Sequence, residues 1–463
     1  MIRVSAVLTL ALCLLFVSCR SDYGRTETRD NMQRKMKLIT LDPGHYHAAL
    51  VQKSMYEQID PLVYVYAPDG PDVENHLGQI KRFNERKEDP TSWRQQVYTG
   101  DDFLEQMLAE KRGDIVILSG NNRRKAEYIK ASIDAGFSVF CDKPMCIDSQ
   151  GFRLLEQAFS TADKNGLLLY DIMSERFNTT CILQKLLVLN EDLFGQMQTG
   201  SPENPAVVKE SVHHFFKYVA GAPLKRPAWY FDTTQQGEGL VDVTTHLIDL
   251  MMWTCFPDQA VDYRTDIVIH NARRWPTTLT LAQYEKVTGV ADFPKYLKDD
   301  LNDNGALPCY ANGRTTFTMK GISMKLSVTW NFQAPASGKD THTSLFRGSK
   351  AHVIIRQGKE QNYRPEVYVE PAPGTGAGKV AASLKRAVAA LQGRFPGLRA
   401  EKTADGWHIV IPEECRVGHE AHFRNVMDAY LKYLAEGRLP DWEVPCMLAK
   451  YYITTKSLEM ARQ

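Results

Sequence analysis

The sequence predicts two successive architectures: a doubly wound parallel α/β sheet, then an α+β domain with helices and an open, largely antiparallel sheet. Two observations carry this. From Lys37 to Tyr170 short apolar strands alternate with helical stretches, the pattern of a parallel sheet covered on both faces. After Val207 the longer segments alternate apolar and polar residues, as strands with one buried face do.

Composition permits a full core. The chain has 463 residues, 43% hydrophobic and 24% charged, enough for two or three domains. Lysine plus arginine number 56 against 55 acids, a balance that gives nucleic-acid binding no support. Met1 to Ser18 carries Arg3 and then an apolar run from Val4 to Val17, which reads as a secretory leader. Its end, Phe16-Val17-Ser18-Cys19, resembles a bacterial lipobox, implying cleavage before Cys19, lipid on its thiol and a periplasmic or cell-surface location. The run is short for a spanning helix, which needs about 20 residues. Without the leader and Cys19 seven cysteines remain, with no framework spacing, so mostly free, buried thiols are expected.

The elements follow in order. Residues 19–36 are polar and without periodicity, a tether between lipid and fold. The nucleotide-binding domain is placed at 37–166. A strand at Lys37–Leu41 runs through Asp42-Pro43-Gly44-His45-Tyr46-His47 into a helix from about Ala48 to Gln58. Strand, glycine turn and helix make a dinucleotide-binding start, where backbone amides receive a pyrophosphate. Set against Gly-x-Gly-x-x-Gly, the turn has Asp42, Gly44 and His47. A second strand (Leu62–Tyr66) leads to Asp69, a candidate for the adenosine ribose. Helices at Val73–Lys87 and Asp102–Lys111 flank a polar loop around Asp89-Pro90. The strand Asp114–Leu118 ends in Ser119-Gly120-Asn121-Asn122, and a helix follows at Arg124–Ala135. The strand Val139–Cys141 ends in Asp142-Lys143-Pro144; a helix (Gln150–Lys164) and the strand Leu167–Tyr170 complete the unit.

The second domain is placed at 167–463. It has strands at Val207–Phe216, Thr315–Met319, Met324–Phe332, His352–Arg356 and Glu366–Glu370, and helices at Val380–Leu391, His419–Glu436 and Pro445–Met460. Its centre is Gln236–Trp253, where Gly237 and Gly239 open a buried helix. Asp242 and His246 are four apart, a spacing that on a helix puts a carboxylate beside an imidazole it can orient. His419 and His422 offer only two donors, so no metal is expected.

The strand-glycine-helix start, Asp142-Lys143-Pro144 and the later Gly-x-Gly-x-x-Asp-x-x-x-His together resemble the Gfo/Idh/MocA oxidoreductase family over nearly the whole chain after the tether. The resemblance implies a Rossmann domain that binds NAD, with NADP open, and transfer of hydride to and from sugars, inositols and related polyols. It implies cofactor contacts from Gly44, His45, His47, Asp69, Ser119, Asn121, Asn122, Asp142 and Lys143. It also implies a pocket containing Lys143, Asp242 and His246, and places Arg176 where the family often carries an Arg-Phe. His213, His214, Trp229 and Tyr230 are further candidates to bracket or stack on a sugar.

Oxidising a secondary alcohol requires a base within reach of the hydroxyl while hydride leaves the same carbon. His246 is the expected base, with Lys143 as fixed positive charge and Asp242 orienting His246 or binding a sugar hydroxyl. The alternative makes Lys143, with a depressed pKa, the base. Three functions stay open: a sugar or glycoside dehydrogenase acting at C3 with tightly held NAD and a second redox substrate or electron acceptor, a hydrolase or lyase that oxidises its substrate transiently, and a non-catalytic sugar-binding lipoprotein. Self-association would use the open sheet.

Overall fold

The structure, a computed structural model, describes residues 34–219, 222–335 and 338–463. The leader, Cys19 and the tether as far as Gln33 lie outside the described residues. The first sheet contains β1 (Leu38–Leu41), β2 (Leu62–Ala67), β3 (Arg94–Thr99), β4 (Ile115–Leu118), β5 (Ser138–Cys141) and β6 (Leu169–Asp171). Its order is β3-β2-β1-β4-β5-β6, parallel throughout. The central strands read Leu-Ile-Thr-Leu, Ile-Val-Ile-Leu and Ser-Val-Phe-Cys because helices cover both faces, and every residue in them is buried. The sheet reaches past Gly166 to take in β6.

Two details depart from the sequence reading. β3 falls where only loop and helix are expected, since Arg-Gln-Gln-Val-Tyr-Thr is an exposed edge strand with no apolar face to betray it. The helix after β1 stops at Val51, and Arg86 takes the Lys53 carbonyl at 2.7 Å, so the chain turns away there instead of continuing to Gln58.

The second sheet has nine strands: β7 (Val207–Phe216), β10 (Ile267–Leu279), β11 (Leu307–Met319), β12 (Ile322–Gln333), β13 (Thr341–Arg347), β14 (Ala351–Gln357), β15 (Glu366–Pro371), β16 (Arg399–Lys402) and β17 (Trp407–Val410). A separate ribbon joins β8 (Tyr218–Val219) to β9 (Ala222–Pro223). The order is β10-β11-β12-β7-β13-β14-β15-β17-β16, antiparallel except for β12 beside β7. One hydrophobic core runs from the first sheet into this one, and a second aromatic core gathers Phe215, Phe231, Tyr284 and Trp330. The seven cysteines in the described residues are unpaired, five of them buried.

The helix Glu443–Arg462 packs on β10 and on the helices Ser149–Asn165 and Thr244–Cys255. At its centre Lys450, wholly buried, reaches Asp171 at the end of β6 (2.5 Å) and Asp249 (3.1 Å). Arg176 grips Asp249 with two bonds of 2.7 and 2.6 Å and reaches Glu443 at 2.7 Å. This buried ionic cluster ties the first sheet, the central helix and the last helix together. Arg176 therefore belongs to the frame and does not face a substrate, which corrects the expectation drawn from its Arg-Phe position.

Candidate active site

The carboxyl ends of β1, β4 and β5 lie side by side, so the loops after them converge at the crevice where open α/β sheets bind ligands. The turn after β1 is tight. Asp42, at the first glycine position of the fingerprint, takes a left-handed φ of 47°, a conformation acidic residues tolerate better than most. A Cβ on Gly120 would lie 2.2 Å from the Asp42 carbonyl oxygen and 2.7 Å from the Gly44 nitrogen, so only glycine allows the two loops to meet. A Cβ on Gly44 would fill the cradle, 3.0 Å from Asp72 Oδ2 and 3.4 Å from the Asn121 nitrogen. Close approach of a dinucleotide to bare backbone fits this cradle.

The acids around the turn differ from expectation. Asp69 is exposed just beyond β2, whereas Asp72, which the sequence reading passed over, faces Gly44. Burial, with Asp72 adding to it, pushes the Asp42 carboxyl up to about 6. The Asp72 carboxyl is likewise raised by burial.

Asp142, at the end of β5, collects donors. Its Oδ2 lies 2.8 Å from His47 Nδ1, 3.2 Å from the Ser119 hydroxyl that donates to it, and 3.6 Å from His45 Nδ1. Burial alone would raise this carboxyl, but the facing His47, with His45 and Lys125, holds it well below the usual carboxylate range. Burial and the neighbouring His47 push His45 well below its ordinary value, so it stays neutral.

Lys143 follows, and its Nζ donates to Asp242 Oδ1 at 2.8 Å across 99 positions of sequence. Both side chains are nearly buried. Burial works against the ammonium, yet Asp242 and Asp142 outweigh it and raise the Lys143 pKa. A depressed lysine pKa, which the alternative base assignment needs, is the opposite of this. His246 differs: burial, then Lys143, pushes its imidazole well below the usual value, and its buried Nδ1 has no hydrogen-bond partner.

Asp242 does not orient His246 as the four-residue spacing predicts. The helix starts only at Thr244, so Asp242 stands in the turn before it and turns to Lys143 instead. Gly239 makes that turn possible, since a Cβ there would lie 2.0 Å from the Ala311 carbonyl oxygen on β11.

A small aromatic void of about 10 Å³ lies beside Asp242, lined by Phe215, Tyr230, Cys309 and Trp330. Tyr230 belongs to this wall, with the Arg226 guanidinium over its ring and over Trp330. Trp229 points the other way, its Nε1 donating to Asp72 Oδ2 at 3.0 Å. The helix Thr233–Gln236 is fastened to the same loops: Asn121 Nδ2 donates to Gln235 Oε1 at 2.6 Å, and Asn122 Nδ2 to the Gln236 carbonyl at 2.7 Å. The side-chain amides of Asn121 and Asn122 are thus spent on this strap rather than left for a cofactor.

His213 and His214 form a separate group around Asp340. Their Nδ1 atoms lie 3.4 and 3.0 Å from its carboxylate, and Lys217 donates to it at 2.6 Å. His213 also stacks on Trp330, so it backs the wall of that void. Asp340 itself was not visible as a site residue in sequence. Glu175, also passed over, sits in the turn after β6; burial raises its carboxyl, and Lys209 and Lys143 are the cations acting on it. The side chain of His419 lies outside the described residues, and His422 is buried.

Comparison with known proteins agrees with this geometry. Residues 45–170 match the model of the "Oxidoreductase family, NAD-binding Rossmann fold", and residues 183–462 that of the "Putative oxidoreductase C terminal domain". A "putative oxidoreductase" from Parabacteroides merdae is 52% identical, covering 92% of this chain and 98% of its own, with a TM-score of 0.91. At the level of fold alone, a levoglucosan dehydrogenase in complex with NADH and L-sorbose is 13% identical, with 93% and 97% covered and a TM-score of 0.57. A 3-ketoreductase from Actinomadura kijaniata in complex with TDP-benzene and NADP is 14% identical, with 91% and 96% covered and a TM-score of 0.53. No curated protein matches.

Proposed function

Because the chain belongs to the Gfo/Idh/MocA family of NAD-binding oxidoreductases, we propose that it oxidises a ring hydroxyl of a sugar or glycoside, at C3, with NAD tightly held. The observation that carries this reading is the buried pair of Lys143 and Asp242, 2.8 Å apart, beside the neutral imidazole of His246. The pair joins the end of the first sheet to the turn before the central helix.

Gly44 and the backbone of Ser119–Asn122 would hold the dinucleotide, which would supply the hydride acceptor. Lys143 remains an ammonium and stabilises negative charge as it develops on the reacting oxygen. Asp242 keeps that ammonium in place and charged. His246 is uncharged and takes the hydroxyl proton. Tyr230, half-buried beside Asp242 and backed by the buried Phe215 and Trp330, offers an apolar surface to one face of a pyranose. Asp69 and Asp72 near the end of β2 favour the free ribose hydroxyl of NAD over the phosphate of NADP.

C3 is preferred because it remains open in a glycoside, whereas C1 is oxidised only when the anomeric hydroxyl is free. That a levoglucosan dehydrogenase and a 3-ketoreductase share the fold is consistent support. We further read the leader and Cys19 as an export signal and lipid anchor, which would set the enzyme at the envelope where glycosides arrive.

Incubation with a methyl glucoside and an artificial electron acceptor tests the proposal, with the new carbonyl located by NMR. A 3-keto glucoside is expected. Release of reducing sugar without net redox change would instead identify a redox-neutral hydrolase, and oxidation only at C1 of free sugars would overturn the C3 assignment.

A further inference from the structure

We propose that His45, His47 and Asp142 form a binding site for one divalent transition-metal ion of the zinc class. The donor set comes from two places: a His-x-His pair in the turn after β1 and a carboxylate at the end of β5. Donor atoms from the three residues lie within 4.8 Å of one another. No other group of three or more histidine, cysteine or acidic side chains among the described residues converges in this way.

The distances suit an ion. Zinc bonds of about 2.0–2.1 Å in a tetrahedral site separate the ligand atoms by roughly 3.3 Å. Asp142 Oδ2 stands 2.8 Å from His47 Nδ1 and 3.6 Å from His45 Nδ1, on either side of that value. The donor atoms of His45 and His47 are within 4.8 Å of each other, so side-chain rotation brings the three onto one ion.

The hydrogen bonding points to a cation as well. His45 Nδ1 accepts the backbone N–H of His47 at 3.3 Å, so it carries a lone pair and has no proton to give the carboxylate oxygen it faces. Two acceptors directed at one point repel unless positive charge lies between them. Metal binding also requires neutral imidazole and ionised carboxylate.

Two imidazoles and one carboxylate select a borderline metal such as zinc over magnesium or calcium, which prefer all-oxygen sites. Three protein ligands leave one coordination position for water or for an oxygen atom of a bound ligand. The Ser119 hydroxyl, donating to Asp142, acts as an outer support that fixes the carboxylate. The site stands on this donor set alone and is independent of which sugar the enzyme oxidises.

The test is metal analysis of the full chain after EDTA treatment and dialysis, followed by titration with zinc chloride in a calorimeter. One zinc per chain is expected, with magnesium chloride giving no saturable binding. His45→Ala and Asp142→Asn should each weaken zinc binding about 100-fold or more, since loss of even an outer partner costs 10–100-fold. His270→Ala, which removes an exposed histidine on β10, should leave binding unchanged. X-ray absorption on the zinc-loaded wild-type chain gives an answer even if both variants fail to fold: nitrogen and oxygen neighbours at about 2.0–2.1 Å are expected. Sulfur neighbours, absence of stoichiometric zinc, or unchanged affinity in a folded His45→Ala variant would overturn the site.

Discussion

The indole Nε1 of Trp229 donates to Asp72 at 3.0 Å, and this one bond fastens the segment before the central glycines to the helix that follows β2. Together with the bonds from Asn121 and Asn122 it closes the strap across the dinucleotide crevice. Under the proposed function, such a closure predicts slow release of the dinucleotide.

Trp229→Phe keeps the ring and removes the bond. A net hydrogen bond is worth about 1 kcal/mol, more when one partner is charged, so dinucleotide should escape roughly 5- to 10-fold faster. Timed filtration of the loaded protein, followed by assay of released NAD, measures this. An unchanged release rate would mean that the strap does not gate the crevice.

Lys143→Met and His246→Ala should each lower turnover by about 100-fold or more while the fold stays intact by circular dichroism. The pH dependence separates their roles. His246 titrates well below its ordinary value and Lys143 above it, so kcat/KM should stay flat through neutral pH. It should fall in acid as His246 gains its proton, and in alkali only above about pH 10 as Lys143 loses its own. Asp242→Asn removes the carboxylate that raises Lys143 and should draw the alkaline limb toward neutrality.

Arg176→Met tests the frame rather than the chemistry. It leaves Asp249 and Glu443 buried without their guanidinium, a loss of about 3–5 kcal/mol in stability by the usual cost of breaking a buried ion pair. Denaturant melts should show that loss, while KM of the folded fraction stays close to wild type. A large change in KM with unaltered stability would return Arg176 to the substrate pocket.

Cys19→Ala is expected to release the protein from membranes or leave its leader unprocessed. Fractionation of expressing cells by ultracentrifugation reads the result, and full retention of a processed variant would exclude the lipid anchor.

The fold was legible wherever burial wrote a period into the sequence. β1, β4 and β5, covered on both faces, appear as short apolar runs, and β7 appears residue for residue through its alternation. β3 was not, because an edge strand exposed on both faces need not be apolar. The site was legible as residue types but not as partnerships. Lys143, Asp242 and His246 were named from their motifs, yet the partner of Asp242 lies 99 positions away, set by where the helix begins and not by spacing along it. Arg176 misled because a motif position carries no information about burial, whereas two carboxylates from distant elements decided its role. Asp72 and Glu175 lacked any sequence signal, since each faces the site only through the packing of the element that bears it.

Lys450 bonds to Asp171 and Asp249, and Arg462 to Glu238 at 2.7 Å, so the last helix of the chain pins both the end of the first sheet and the segment that carries the site. During synthesis the first sheet can form long before that helix leaves the ribosome, but its Asp171 then waits with no lysine to meet it. The acid cluster is completed last, by residues translated some 280 positions after Asp171, as the bond from Tyr451 to that same carboxylate illustrates. Competence therefore depends on the helix Glu443–Arg462, and a chain that lacks it leaves Asp171 and Asp249 buried without Lys450.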